Sequence, residues 1–111
     1  MTVKTQAVDS VVVVTVKGKL MGGKETDEVH DQIRQILAQG KKKIVFDISK
    51  VRWMNSRGLG MLMACYTSVT NSGGELNLAG VSEKINSLFM ITKLITIFKT
   101  YNSVDEAVKS F

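Results

Sequence analysis

The chain has 111 residues, a hydrophobic content of 44% and a formal net charge of +5. This length allows a single domain, residues 1–111, with its own core and leaves no room for a second domain. The single cysteine, Cys65, cannot form an internal disulfide, and no apolar run approaches the roughly 18 residues of a membrane span. The N-terminal residues do not resemble a signal peptide, so we expect a cytoplasmic monomer that does not bind membranes.

The first predicted elements are two strands and a helix. Residues 3–8 and 11–16 are extended runs rich in valine, and the turn-forming pair Asp9-Ser10 separates them. This pattern predicts an antiparallel hairpin. Gly22-Gly23 then breaks the chain before a helix at about residues 24–39, which ends at a glycine. The apolar residues on one face of this helix are Val29, Ile33, Ile36 and Leu37.

Strands and helices alternate in the rest of the chain. Residues 44–48 form a continuous apolar run of the kind buried on both faces of a parallel sheet. The later elements are a helix that starts near Ser56 and stops near residues 71–74, a strand at Glu75–Ala79, a helix at 82–91, a strand at 95–99 and a last helix that a capping box starts at Ser103. The order predicts an α/β fold: a mixed, mainly parallel sheet of about five strands with about four helices.

Ser56 lies where the central strand meets the next helix. Functional residues of open α/β sheets lie in loops at the carboxyl ends of strands. A phosphate on Ser56 would meet free backbone N–H groups and the positive end of the helix dipole. A purely structural alternative is that Ser56 is the N-cap of the helix. A third possibility is that Asn55 is the N-cap and leaves the Ser56 hydroxyl free.

The segment Trp53-Met54-Asn55-Ser56-Arg57-Gly58-Leu59-Gly60 resembles the phospho-acceptor motif of the STAS family, specifically of the bacterial anti-sigma factor antagonists. That motif reads Asp-Ser-Ser/Thr-Gly-Leu-Gly after an apolar pair at the end of a strand. The resemblance covers nearly the whole chain, including residues 16–20, 43–49, 73–76 and 103–107. Three positions depart from the family pattern: Asn55 and Met21 replace an aspartate, and Arg57 replaces a small hydroxyl residue.

The resemblance implies a STAS fold and a regulatory function. The unphosphorylated protein would bind an anti-sigma factor that is also a serine kinase and so release a sigma factor. Phosphorylation of Ser56 would end the binding, and a PP2C-type serine phosphatase would restore it. The rival interpretation is a constitutive STAS scaffold or regulatory module that never titrates a sigma factor. The expected partner-binding residues are Met21, Gly22, Met54, Asn55, Ser56, Arg57, Gly58 and Met61.

Several residues near Ser56 have two interpretations. Trp53 could anchor a partner or cover the core. Gly58 and Gly60 could cradle a nucleotide phosphate, although close approach to a neighbouring backbone or partner is the better explanation of a lone Gly-x-Gly. Met61 and Met63 cannot share one helix face, so we expect one in the core and the other directed outward.

Enzymatic chemistry is not expected. His30 is the only histidine and fits a surface helix residue, and one histidine with one cysteine cannot supply a metal site, so no cofactor is expected either. The basic residues, including the run Lys41-Lys42-Lys43, have no accompanying nucleic-acid motif. We interpret that run as a solvated loop, with attraction of an acidic protein partner as the alternative and no direct nucleic-acid binding.

Overall fold

The computed structural model describes residues 2–111. The strands are β1 (Thr2–Val8), β2 (Val11–Leu20), β3 (Lys43–Met54), β4 (Glu75–Ala79) and β5 (Thr100–Tyr101). The α-helices are α1 (Lys24–Ala38), α2 (Ser56–Asn71), α3 (Glu83–Ile91) and α4 (Val104–Lys109), and a 3₁₀ turn spans Leu94–Thr96.

The strands form one mixed sheet in the order β1-β2-β3-β4-β5. β1 pairs with β2 in the antiparallel sense, and every other neighbouring pair is parallel. The predicted hairpin, the mainly parallel sheet and the four helices are therefore confirmed. Since β3 lies in the middle, the loop that follows it is held by strands on both sides.

The helices are divided unequally between the two faces of the sheet. Residues of α1, α2 and α3, among them Val29, Leu62 and Phe89, share the large hydrophobic core with β2, β3 and β4. Only α4 packs on the opposite face, where Ala107 contacts a small cluster that includes Val13 and Val45. One face is thus a closed core, and the other is covered only in part.

The predicted strand at residues 95–99 is wrong. The chain turns at Lys93, which has a left-handed φ of 64°, forms the 3₁₀ turn, and pairs with β4 only at β5. Phe98 decides the path: it is buried, stacks on Phe89 at 5.8 Å between ring centroids and meets the edge of Tyr66 at 5.3 Å. This aromatic packing outweighs the strand propensity of the isoleucines.

Two strands run further than periodicity alone predicts. β2 continues to Leu20, in agreement with the strand implied by the family resemblance at residues 16–20, and β3 continues to Met54. Leu20 and Met54 are paired at the ends of these strands. The extra length carries the chain directly to Asn55 and Ser56 at the carboxyl edge of the sheet.

Candidate functional site

Asn55 caps α2 and fastens it to the end of β2. Its Oδ1 accepts a hydrogen bond from the Gly58 N–H at 3.0 Å, and its Nδ2 donates to the Met21 carbonyl at 2.8 Å. The Asn55 N–H donates to the Leu20 carbonyl at 3.2 Å. Because the amide both accepts and donates, it joins two segments of chain that are 34 residues apart.

Ser56 is the first residue of α2 and is exposed. Asn55 occupies the capping position, and the Ser56 hydroxyl has no hydrogen-bond partner among residues 2–111. Of the three possibilities that the sequence left open, the structure therefore has Asn55 as the cap and Ser56 with an available hydroxyl. A group attached there would lie beside the positive end of the helix dipole.

Gly58 is required by the packing of α2 on β2. A Cβ at this position would overlap the carbonyl oxygen of Leu20 and lie 3.0 Å from the Leu20 Cβ. This close approach of two backbones explains the glycine without a nucleotide. Gly60 differs, because a Cβ there would meet nothing within 4 Å.

Two methionines predicted to bind a partner lie in the core instead. Met54 has 0% exposure and Met61 has 8%. Met54 is the last residue of β3, and Met61 lies in the same core, where its Sδ accepts a weak hydrogen bond from Cys65. These two residues support the surface from below, so the interpretation of them as exposed contacts is wrong. Gly58 is also buried.

Trp53 serves mainly as a cover for the core. It is partly buried against the large core, and the Lys84 ammonium lies 4.9 Å from the centroid of its ring. A cation held over the ring face in this way favours the covering role over the anchoring role.

The remaining predicted residues form one surface, of which Gly22 and Asn55 are partly buried. Met21 is 46% exposed, and Arg57 is also exposed. The stem of Arg57 lies over Gly22, since a Cβ on that glycine would be 2.9 Å from the Arg57 Cβ. We call Met21, Gly22, Asn55, Ser56 and Arg57 the Ser56 surface.

A groove between α1 and α2 continues from the Ser56 surface. It has a volume of about 430 Å³ and is lined by Gly22, Gly23, Thr26, Asp27, His30, Arg57, Gly60, Met61 and Ala64. Buried Thr26 accepts a hydrogen bond from the Gly22 N–H at 2.8 Å, which fixes the loop at the mouth of the groove. Sequence reasoning missed Thr26, Asp27 and Ala64, and only the adjacent glycine pair hinted at a feature here.

His30 and Cys65 show no sign of catalytic activation. His30 is half-buried and its Nε2 lies 3.3 Å from the Ser68 Oγ, so the expected surface position is only partly correct. Partial burial lowers the pKa of His30, and the nearby Arg34 lowers it further. Burial raises the pKa of the Cys65 thiol to about 12, which keeps the thiol protonated and inert.

A comparison with protein families identifies the family of the fold. The model of the STAS domain family matches residues 2–107, which include every element up to the middle of α4. The chain belongs to the STAS domain family. Family membership does not test the individual site residues, so Ser56 as the phospho-acceptor stays a prediction from the motif, as do the departures at Asn55, Arg57 and Met21.

Relatives of the chain are described as anti-sigma factor antagonists. An anti-sigma-B factor antagonist of Staphylococcus aureus is 34% identical over 70 residues, which are 63% of this chain and 62% of that protein. The chain therefore spans less than two thirds of the length of that curated relative. The crystal structure of a proposed anti-sigma factor antagonist of Thermotoga maritima has a TM-score of 0.88 with 26% identity, and the match covers 97% of this chain and 92% of that one.

The fold is also shared with more distant regulators. The Bacillus cell fate determinant SpoIIAA in its phosphorylated form has a TM-score of 0.76 and 18% identity, with 98% of each chain covered. At that identity the likeness concerns the fold of the STAS domain alone. Within residues 2–111, every helix of this STAS domain is too short or too polar to span a bilayer.

Proposed function

We propose that this STAS domain is an anti-sigma factor antagonist controlled by phosphorylation of Ser56. The unphosphorylated protein binds an anti-sigma factor that is also a serine kinase, and the sigma factor is released. A PP2C-type serine phosphatase restores the binding form. In this role the chain is the kinase's ligand and substrate and not an enzyme.

The available Ser56 hydroxyl is the observation that carries this proposal. Asn55 supplies the cap of α2, so the fold does not use the hydroxyl of Ser56, which is exposed at the centre of the Ser56 surface. A kinase can therefore modify it without removing a hydrogen bond that stabilises the helix. The names of the relatives support the choice of an anti-sigma factor as the partner.

The effect of the phosphate follows from where it is placed. It adds a charge of about −1.5 to −2 to the Ser56 surface, which also contains Met21, an exposed apolar side chain, and the small residue Gly22. An interface formed on these residues would have to remove water from the phosphate at the contact, which weakens binding. A penalty of about 2.8 kcal/mol reduces affinity about a hundredfold.

Within the unbound protein the same phosphate is tolerated. The α2 N-terminus attracts an anion, and Arg57, the next residue, supplies a guanidinium that can form charge-assisted hydrogen bonds with it. We therefore expect phosphorylation to keep the domain folded while it ends binding. The small hydroxyl residue that the family usually has at this position carries no positive charge, so it could not attract the phosphate in this way.

Calorimetry with the anti-sigma partner tests the proposal. Ser56→Glu is expected to weaken binding at least about tenfold, since a charge enters the contact surface. Gly60→Arg should also weaken it, because the side chain would fill the groove while the fold has room for it. Gly58→Arg is unsuitable, since it would overlap Leu20.

A matched control uses the same chemical change at the other end of the sheet. Ser10 is exposed in the turn between β1 and β2, so Ser10→Glu adds the same charge away from the Ser56 surface and should leave affinity unchanged. If Ser56→Glu binds as tightly as Ser10→Glu, the switch is refuted and the constitutive scaffold becomes the better description. Phosphosite mapping after incubation with kinase and ATP should give Ser56 alone, and Ser56→Ala should accept no phosphate.

A further inference from the structure

The open face of the sheet carries a basic cleft that the proposed function does not use. α4 covers this face over Val13 and Val45. Further along the strands, the same face has a cleft of about 240 Å³ lined by Lys4, Thr15, Lys17 and Lys50. All three lysines are exposed, and each comes from a different strand.

The strand register places these lysines together. Lys4 of β1 pairs with Thr15, and Lys17 of β2 pairs directly with Lys50 of β3. A bulge makes this possible: between the pairs Thr15–Asp47 and Lys17–Lys50, β3 advances one residue more than β2. Without the bulge, Ser49 would lie opposite Lys17.

Like charges in opposite positions destabilise a sheet. None of these lysines takes part in the ion pairs found within residues 2–111, where Arg34 pairs with Asp31 and Lys109 with Asp105. Asp47, the acidic side chain at the neighbouring register position, accepts hydrogen bonds from the Ser49 N–H at 3.1 Å and the Ser49 Oγ at 2.8 Å. No carboxylate lines the cleft, and the neighbouring Asp47 keeps its negative charge while it accepts the Ser49 bonds, so the charge of the three lysines is balanced only in part.

We infer that this cleft binds a small anion with two or more linked phosphate groups. Lysine ammonium groups are point charges with three rotatable donors and suit phosphate oxygens, and the cleft contains no arginine fork for a planar carboxylate. β1 and β3 flank β2, so the backbones that carry Lys4 and Lys50 are about 10 Å apart. That separation fits a chain of phosphates better than a single one.

The lining also indicates which part of the ligand is recognised. The cleft has no aromatic side chain on which a nucleobase could stack. Recognition therefore depends on the phosphate chain. The cleft lies on the face opposite α1, α2 and α3, so this inference stands independently of the proposed phosphorylation of Ser56.

Titration calorimetry with inorganic triphosphate tests the inference on the whole chain. The parent protein should bind one triphosphate in a saturable manner, and the double variant Lys17→Gln/Lys50→Gln should bind at least about tenfold more weakly. The control is Lys41→Gln/Lys42→Gln, which removes the same charge from exposed lysines before β3 and should change affinity less than about twofold. Equal losses in both double variants would show an effect of net charge alone and refute the site, as would the absence of saturable binding by the parent.

Thermal unfolding gives a second, independent readout. Without anion, Lys17→Gln/Lys50→Gln should melt at a higher temperature than the parent, because the repulsion between paired lysines is removed. With triphosphate, the parent should gain melting temperature and the double variant should gain much less. A double variant that melts lower without anion would show that the lysines serve the fold, which would overturn the inference. Binding of single-stranded RNA without binding of triphosphate would overturn it as well.

Discussion

Three helices of this domain begin beside a serine, but only one of those hydroxyls is available. At α3, Ser82 accepts a hydrogen bond from the Ile85 N–H at 3.2 Å, and at α4, Ser103 accepts one from the Glu106 N–H at 3.1 Å. At α2, Asn55 holds the capping position and Ser56 lies one residue further on. A shift of one residue therefore decides whether a serine stabilises its helix or can be modified.

The α2 start also differs in what holds it. The caps of α3 and α4 are local bonds within three residues. The α2 start is fixed to the distant end of β2, through the Asn55 amide on the Met21 carbonyl and through the close packing of Gly58 on Leu20. Ser56 thus has an available hydroxyl on a rigid support, which suits a site that a kinase and a partner must both recognise.

The largest expected loss of unfolding free energy comes from a substitution that disturbs the contact between α2 and β2. Gly58→Ala places a Cβ against the Leu20 carbonyl, and overpacking of this kind costs about 2–3 kcal/mol, partly offset by the helix propensity of alanine. Gly60→Ala is the matched control: it adds the same methyl group into open space and should stabilise the protein by about 0.5–1 kcal/mol. Urea denaturation measures both. If Gly58→Ala is as well tolerated as Gly60→Ala, α2 is not held by this packing.

An intermediate effect is expected from the cap itself. Asn55→Ala removes the acceptor for the Gly58 N–H and leaves the Met21 carbonyl without its donor, so it should cost about 1–2 kcal/mol of unfolding free energy. Asn55→Asp, which restores the residue that the family usually has, keeps the acceptor and adds a favourable charge at the helix start, but it loses the donor. Denaturation should therefore place Asn55→Asp between the parent and Asn55→Ala. Equal losses in both variants would assign the whole effect to the Met21 bond.

Much of the fold was predictable from local pattern. The valine runs on either side of Asp9-Ser10 predicted the hairpin, and the helical spacing of Val29, Ile33 and Ile36 predicted the buried face of α1. These features depend on periodicity, which a single segment contains. The path of residues 95–99 could not be predicted from periodicity, because it depends on the packing of Phe98 against Phe89 and Tyr66.

The candidate site was predictable in position but not in detail. Its motif and its place after a central strand identified Ser56. Asn55 and Ser56 are both good N-caps, and only the distant Met21 carbonyl, which requires an amide donor, decides between them. Likewise, helical spacing predicted one of Met61 and Met63 in the core and the other directed outward. Met61 is in the core, but Met63 is partly buried against the same core, so that prediction is only partly correct.

The smallest expected change in unfolding free energy is that of Ser56→Ala, and it tests the comparison of the three serines. Ser56→Ala should change the unfolding free energy by less than about 0.5 kcal/mol, because the fold makes no use of that hydroxyl. Ser82→Ala and Ser103→Ala should each cost about 1 kcal/mol, since each removes a cap. Urea denaturation of the three variants in one buffer measures the differences directly. A loss at Ser56 as large as at Ser103 would mean that the hydroxyl helps to hold α2, and a kinase acting there would then disturb the support on which its own recognition depends.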